Sequence, residues 1–222
     1  MWQYGRSCAL VAFLLAFVPI AHAGTALWSA RVGYGRVAFD TASVISLGGV
    51  TVPGASVDVD DADVLLGDLG RDLSRRFTAR VTFGVPLTVS VDATGTLAGL
   101  SPPLSGRLGE VDIAPLLGTV LFAPFDAHGW KPYFGAGLGY VMALEASDGD
   151  VSSIEASSGW GFTLQAGCEV ALTPHWSVYV DARKVYFATE VSGFVPALGG
   201  PPVKADVTLD PLVISAGVGY RF

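Results

Sequence analysis

The chain has 222 residues, 51% of them hydrophobic and only 15% charged, with a formal net charge of −7. That balance argues against a nucleic-acid partner, which would require a basic face. Of its two cysteines, Cys8 lies in an amino-terminal segment with the marks of a leader, so Cys168 is left without an intramolecular partner.

The first element is that leader. Arg6 supplies a short positive region, residues 9–19 are apolar, and Ala21-His22-Ala23 is a small-residue cleavage site. Residues 1–23 are therefore expected to be a cleaved signal peptide and residues 24–222 a single barrel domain. The apolar run is too short for a spanning helix, which needs about 20 residues. No later stretch is long and apolar enough for a helical span either. Instead, hydrophobic residues alternate with small or polar ones, the pattern of strands that are apolar on one face.

Eight such segments follow in order, near 26–38, 57–69, 75–92, 109–123, 131–145, 158–172, 175–190 and 204–222. The third places Phe77, Ala79, Val81, Phe83, Val85, Leu87, Val89 and Val91 on one face and Thr78, Arg80, Thr82, Gly84 and Pro86 on the other. The fifth sets Phe134, Ala136, Leu138 and Tyr140 against Tyr133, Gly135, Gly137 and Gly139. Water-facing strands are rich in Lys, Glu and Thr, whereas glycine marks a close approach. The small faces therefore suit the narrow interior of an eight-stranded barrel and the apolar faces suit lipid. The last segment ends in Val218-Gly219-Tyr220-Arg221-Phe222, with a terminal aromatic on its apolar face.

Links between segments alternate in length. Short ones fall near 70–74, 124–130 and 173–176, and long ones near 40–56, 93–108, 146–157 and 191–203. The expected fold is all-β: an eight-stranded antiparallel transmembrane β-barrel with three short periplasmic turns and four longer extracellular loops, inserted in the bacterial outer membrane. Lipid and lipopolysaccharide are then its surroundings, and a monomer is expected.

Several stretches carry a family resemblance. They are residues 131–140 (KPYFGAGLGY), Ser158-Gly159-Trp160-Gly161-Phe162, Leu164-Gln165-Ala166-Gly167, residues 176–183, and Asp210-Pro211 with the terminal Gly217 to Phe222, joined by Leu108-Gly109-Glu110-Val111 and Pro115. Together they resemble the OmpW family of outer-membrane proteins over roughly residues 108–222. The resemblance implies an eight-stranded barrel with a narrow, largely hydrophobic channel that passes small hydrophobic molecules. By likeness to other barrels, Tyr220 and Phe222 address the insertion machinery. The first long loop and the turn Arg71-Asp72-Leu73-Ser74 depart from the family pattern.

Three constellations are candidates for function. Inward parity gathers Arg31, Arg80, Arg183 and Arg221 with Glu110, Asp112, Glu169 and Asp181. Charges inside a membrane barrel must pair or meet water, so these are expected to form an interior ion network, either structural or selective. Leu116, Val120 and Phe122 share the parity of Glu110 and Asp112. With Tyr133, Gly135 and Gly137 they are the expected ligand-binding lining of the bore, the alternative being plain interior packing. Pro86 and Pro115 lie within strands, where proline removes a ladder donor. They mark either a harmless bulge or a lateral opening into the bilayer.

Other readings are weaker. The acids Asp58, Asp60, Asp61 and Asp63 do not make a calcium loop, because the sixth and twelfth positions are Asp63 and Leu69 rather than Gly and Glu. His128 and His175 share no strand face with a serine, so a nucleophile–base pair is not supported. No enzyme activity, cofactor or metal is expected. The function that the resemblance implies is passive passage of a small hydrophobic ligand. The alternative is a structural or adhesive barrel, or a surface receptor, without transport.

Overall fold

A computed structural model describes residues 27–96, 107–196 and 199–222. The expected signal peptide, the first residue of the first predicted strand (Ala26), most of the 93–108 link and residues 197–198 of the 191–203 link lie outside these. The described residues form no α-helix.

Among the described residues, fourteen strands build one antiparallel sheet. They are β1 (Trp28–Ala38), β2 (Thr41–Leu47), β3 (Val50–Thr51), β4 (Ala55–Val59), β5 (Ala62–Asp72), β6 (Phe77–Gly84) and β7 (Leu87–Gly95), then β8 (Arg107–Phe122), β9 (Trp130–Asp148), β10 (Ser152–Ala156), β11 (Gly159–Ala171), β12 (Trp176–Phe194), β13 (Pro202–Leu209) and β14 (Leu212–Arg221). Eight of them close a ring in the order β1, β5, β6, β8, β9, β11, β12, β14 and back to β1. β1 and β14 meet at the seam, where Trp28 and Phe222 exchange backbone hydrogen bonds of 3.2 and 3.0 Å. Closure leaves the ring no free edge, the condition for a sheet to cross lipid.

The predicted segments map onto this ring with two corrections. The second segment is interrupted between β4 and β5, and the third between β6 and β7 at Val85-Pro86. Both interruptions reverse parity. Val89 and Val91 consequently face inward with Val57 and Val59, whereas continuous alternation had placed the two β7 valines on the lipid face. The long links are also more ordered than loops, since β2, β3, β10 and β13 fold within or beside them.

Above the ring the wall divides into two leaves. One is β3, β2, β13, the carboxyl-terminal end of β12, and β10. The other is β4, β7, the amino-terminal end of β8, and the end of β9. No ladder joins β2 to β4 or β9 to β10 among the described residues. A side-chain bond crosses the first seam, Val57 N–H to Ser43 Oγ at 3.0 Å; across the second, Ile154 N–H donates to Asp148 Oδ1 at 3.2 Å and, beside it, Ala143 N–H to Ser158 Oγ at 3.0 Å. The leaves are held face to face by apolar burial, with Ile45, Val195 and Val207 from one packed on Ala55, Val57 and Leu108 from the other.

The outer wall of the ring is apolar and studded with aromatic rings. Phe77, Phe122 and Phe134 contact one another in sequence, and Trp176, Tyr220 and Phe222 do the same beside the chain terminus. Tyr140 meets Trp160 nearer the other end of the strands. Aromatic belts of this kind sit at the membrane interfaces of outer-membrane barrels.

Candidate functional site

The interior has two storeys of opposite character. In the lower one, the inward residues of the ring form a buried ionic network. Arg183 on β12 holds Asp68 of β5 through one guanidinium nitrogen, at 3.1 and 3.2 Å, and lies 2.7 Å from Asp181. Asp181 in turn accepts hydrogen bonds from the Tyr133 hydroxyl and the Gln165 amide, both at 2.7 Å. Arg31 lies 3.8 Å from Asp68 and 3.7 Å from Glu169, and donates to Tyr133 at 3.2 Å. Its guanidinium also stacks over the ring of Tyr179, 4.4 Å from the centroid. Thr82 donates to Asp68 at 2.5 Å.

Glycine makes room for these large groups. A Cβ on Gly33 would collide with the Tyr179 hydroxyl, and one on Gly167 would meet the Tyr133 hydroxyl at 2.6 Å. The two tyrosines can therefore lie across the bore only because the walls beside them are bare. Arg183 and Asp68 are 1% and 2% exposed, so this storey is closed by its own side chains.

The upper storey is an apolar chamber between the two leaves, with a volume of about 140 Å³. Phe39, Val59, Val111, Ile113, Phe187 and Leu209 are representative of its lining. Its hydroxyls, Ser157, Thr189 and Ser192, gather near β10 and β12. A cavity of this size has room for a benzene-sized guest.

Between the storeys the wall itself is interrupted. β6 pairs with β8 as far as Phe83 opposite Leu116, and β7 resumes at Leu87 opposite Ile113. Gly84, Val85 and Pro86 on one side thus face Ala114 and Pro115 on the other. Across the opposite edge, β5 pairs with β6 only as far as Leu66 opposite Gly84, with one further bond from Val85 N–H to Leu65 O at 3.0 Å. Pro86 and Pro115 are thereby brought to one break in the hydrogen-bonded wall. Neither proline has an N–H to donate.

The predicted site residues fall out unevenly. Arg31, Arg80, Asp181 and Arg183 are buried within the bore, and Glu169 and Arg221 approach each other at 3.9 Å near its periplasmic mouth. Glu110 and Asp112 are not in the network. Glu110 pairs with Arg107, and Asp112 accepts from Thr88 at 2.5 Å on the outer face. The expected ligand lining is also displaced. Val120 is 50% exposed, Phe122 packs between the outward rings of Phe77 and Phe134, and Leu116 stands opposite Tyr140 on the same outer face.

One physical fact explains both errors. The upper part of β8 rises above the membrane, so a single outward face carries acids in water and then leucine, valine and phenylalanine in lipid. Tyr133 does face the bore, but as a member of the ionic network. Gly135 and Gly137 back onto the β8 backbone, where an added Cβ would strike Val120 O and Gly118 O. None of the six lines the apolar chamber. Asp68, Gln165 and Tyr179 were missed. The signal for Asp68 was present, an isolated acid among Leu65, Leu66 and Leu69, but the parity reversal between β4 and β5 concealed its direction.

Comparison with known proteins settles the family. A model of the OmpW family matches residues 31–222. The chain belongs to the OmpW family. Dibenzothiophene metabolism operon protein PahQ of Pseudomonas aeruginosa is 33% identical over 217 residues, covering 98% of this chain and 99% of PahQ. Outer membrane protein AlkL of Ectopseudomonas oleovorans is 28% identical over 178 residues, 80% of this chain and 74% of AlkL. The crystal structure of outer membrane protein OprG from Pseudomonas aeruginosa shares the fold at a TM-score of 0.81 and 24% identity, covering 89% of this chain and 96% of OprG. This OmpW-family chain is thus an outer-membrane β-barrel, and the relatives named are outer-membrane proteins or, for PahQ, a dibenzothiophene metabolism operon protein.

Proposed function

We propose that this OmpW-family barrel is a passive channel for small hydrophobic molecules. The observation that carries the reading is the stacking of an apolar chamber of about 140 Å³ directly above a bore closed by buried arginines and aspartates. An apolar guest is stabilised in the chamber by about 25 cal/mol per Å² of surface removed from water. It meets a severe desolvation barrier in the charged storey below. The guest therefore enters from the outside between the leaves and leaves sideways through the break at Val85, Pro86 and Pro115 into the hydrocarbon of the membrane. The names of the relatives support this choice of guest, since PahQ is a product of a dibenzothiophene metabolism operon. The chemistry needs neither cofactor nor metal, and no catalytic role is assigned.

The test is Pro115→Val in cells that express the barrel, with uptake of a radiolabelled two-ring hydrocarbon as the readout. Valine supplies the missing N–H and allows β8 to pair through the break, so uptake is expected to fall severalfold toward that of cells lacking the protein. Unchanged uptake sinks the lateral route. The filled lower storey favours a second reading, a structural or adhesive barrel or surface receptor without transport. That reading holds if wild-type barrel gives no uptake above the empty control.

A further inference from the structure

The periplasmic rim of the barrel is unevenly charged. The hairpin between β5 and β6 carries three exposed arginines, Arg71, Arg75 and Arg76. Every aspartate and glutamate of the chain lies among the described residues, and none forms an ion pair with any of the three. The acid beside them, Asp72, is taken up by the buried Thr78, whose hydroxyl donates to it at 2.7 Å. The rest of the rim carries acids and cations in equal number, Asp126 with Lys131 and Glu169 with Arg221, the latter pair 3.9 Å apart. The chain as a whole has a net charge of −7. Three unopposed cations on one turn are therefore a local feature and not a consequence of composition.

The turn is fixed by its own hydrogen bonds. Leu73 and Ser74 N–H donate to Phe77 O at 2.8 and 3.1 Å, and Ser74 Oγ accepts from the N–H groups of Arg76 and Phe77 at 3.3 and 3.1 Å. It also sits at the level of the aromatic belt. Arg76 directly precedes Phe77, which packs on Phe122. Arg71 is in register with Trp28 of β1, and its guanidinium lies over that ring, 5.5 Å from the centroid. Apolar surface is exposed beside the cations, since Leu27, Leu73 and Phe77 are 44%, 58% and 44% exposed. This sector of the wall therefore offers apolar contact and, at the membrane interface, three guanidinium groups on long stems that can reach the headgroups. A guanidinium matches phosphate oxygens two at a time.

We propose that the β5–β6 turn is a docking surface for an anionic phospholipid of the periplasmic leaflet. Arg71, Arg75 and Arg76 engage its phosphate, while Leu27, Leu73 and Phe77 lie against its acyl chains. Lipopolysaccharide, the other phosphate-bearing lipid of this membrane, occupies the opposite leaflet. At that end of the barrel the outer wall is acidic, with Asp58 directly opposite Asp92 in the β4–β7 ladder. The proposal rests on the fold and on its orientation in the membrane, independent of whether the chamber carries a guest.

The experiment uses the whole barrel in micelles doped with equal amounts of phosphatidylglycerol and phosphatidylcholine of identical chains. Native mass spectrometry counts the lipids retained. The wild type is expected to keep phosphatidylglycerol at least about tenfold over phosphatidylcholine. The triple variant Arg71→Gln, Arg75→Gln and Arg76→Gln is expected to bring the two close to equal. Equal retention by the wild type overturns the proposal, and so does an undiminished preference in the triple variant, which would put the lipid elsewhere. Lys131→Gln, on the balanced part of the rim, is expected to keep the wild-type preference. A loss there as large as in the triple variant would mean a general charge effect and overturn the assignment to this turn. Should the triple variant fail to fold, Arg75→Gln alone is expected to lower the preference about fivefold, and a preference equal to the wild type refutes the surface.

Discussion

Filling the chamber from its own wall is the most direct challenge to the proposed function. Ala205 on β13 is half-buried and lines the cavity, packed against the apolar cluster that joins the leaves. Ala205→Phe places a benzene ring in a space of about 140 Å³, close to the volume that holds one benzene-sized guest. An aromatic guest buries about 150–250 Å², a gross gain of about 4–6 kcal/mol at 25 cal/mol per Å². Association itself costs at least about 4 kcal/mol, so binding is weak and release is fast, as passage requires. A tethered ring carries no such association cost and excludes the free guest at any concentration reached in the membrane. Uptake of a radiolabelled two-ring hydrocarbon by cells expressing the variant is expected to drop at least about tenfold, the loss of about 1.4 kcal/mol or more of guest stabilisation. The barrel should still run as a folded species on an unheated gel, because the ring enters existing space. Wild-type uptake by a folded variant whose chamber is filled would refute the chamber as the route.

Three further expectations concern the parts around the chamber. Asp181→Ala removes the carboxylate shared by Arg183, Tyr133 and Gln165; urea unfolding in micelles should show a loss of about 3–5 kcal/mol, as for other broken buried pairs, and a loss below about 1 kcal/mol would contradict the network. Tyr133→Phe keeps the ring but deletes its bonds to Asp181 and Arg31; stability should fall by about 1.5–3 kcal/mol while uptake stays at the wild-type level, which separates the lower storey from the ligand path. Ser43→Ala deletes the bond from Val57 N–H across the β2–β4 seam, and hydrogen exchange at the Val57 amide, followed by NMR in lipid, should speed up several-fold. Exchange equal to the wild type would mean that packing alone closes the seam.

How far the sequence could be read depended on whether alternation stayed unbroken. In β11, β12 and β14 the period of two runs without interruption through the membrane. There the inward placement of Arg183, Asp181 and Arg221 and the outward placement of Trp160, Ile214 and Phe222 follow directly from parity. In β4–β5 and β6–β7 a two-residue break reverses the faces. No residue type announces the reversal, although Pro86 marks the place of one. In β8 the parity was continuous but the solvent was not. Glu110 and Asp112 were assigned to the interior because the whole strand was taken to lie in lipid, and that assignment drew Leu116, Val120 and Phe122 inward with them. Chamber residues such as Ile45, Val91 and Val203 were hidden for a related reason. They come from segments read as loops or as lipid-facing strand, and only the pairing of β2 with β13 and β4 with β7 brings them together.

The two gradients along the wall run in opposite directions, and their crossing point locates the proposed exit. Outside, the wall is polar at Glu110 and Asp112 and becomes apolar from Leu116 to Phe122. Inside, it is apolar at Val111 and Ile113 and becomes ionic at Arg31, Asp68 and Arg183. At almost every height, therefore, only one side of the wall welcomes a hydrocarbon. The level of Pro86 and Pro115 is where the inner apolar surface ends and the outer one begins. Val89 and Ile113 line the chamber just above it, while Val85 and Phe83 are exposed on the outer face at and below it. The ladder is interrupted at that same level. A hydrophobic molecule crossing there would exchange one apolar surface for another without passing the buried arginines. A break one turn of pleat higher would open onto water, and one lower would open onto the ionic network.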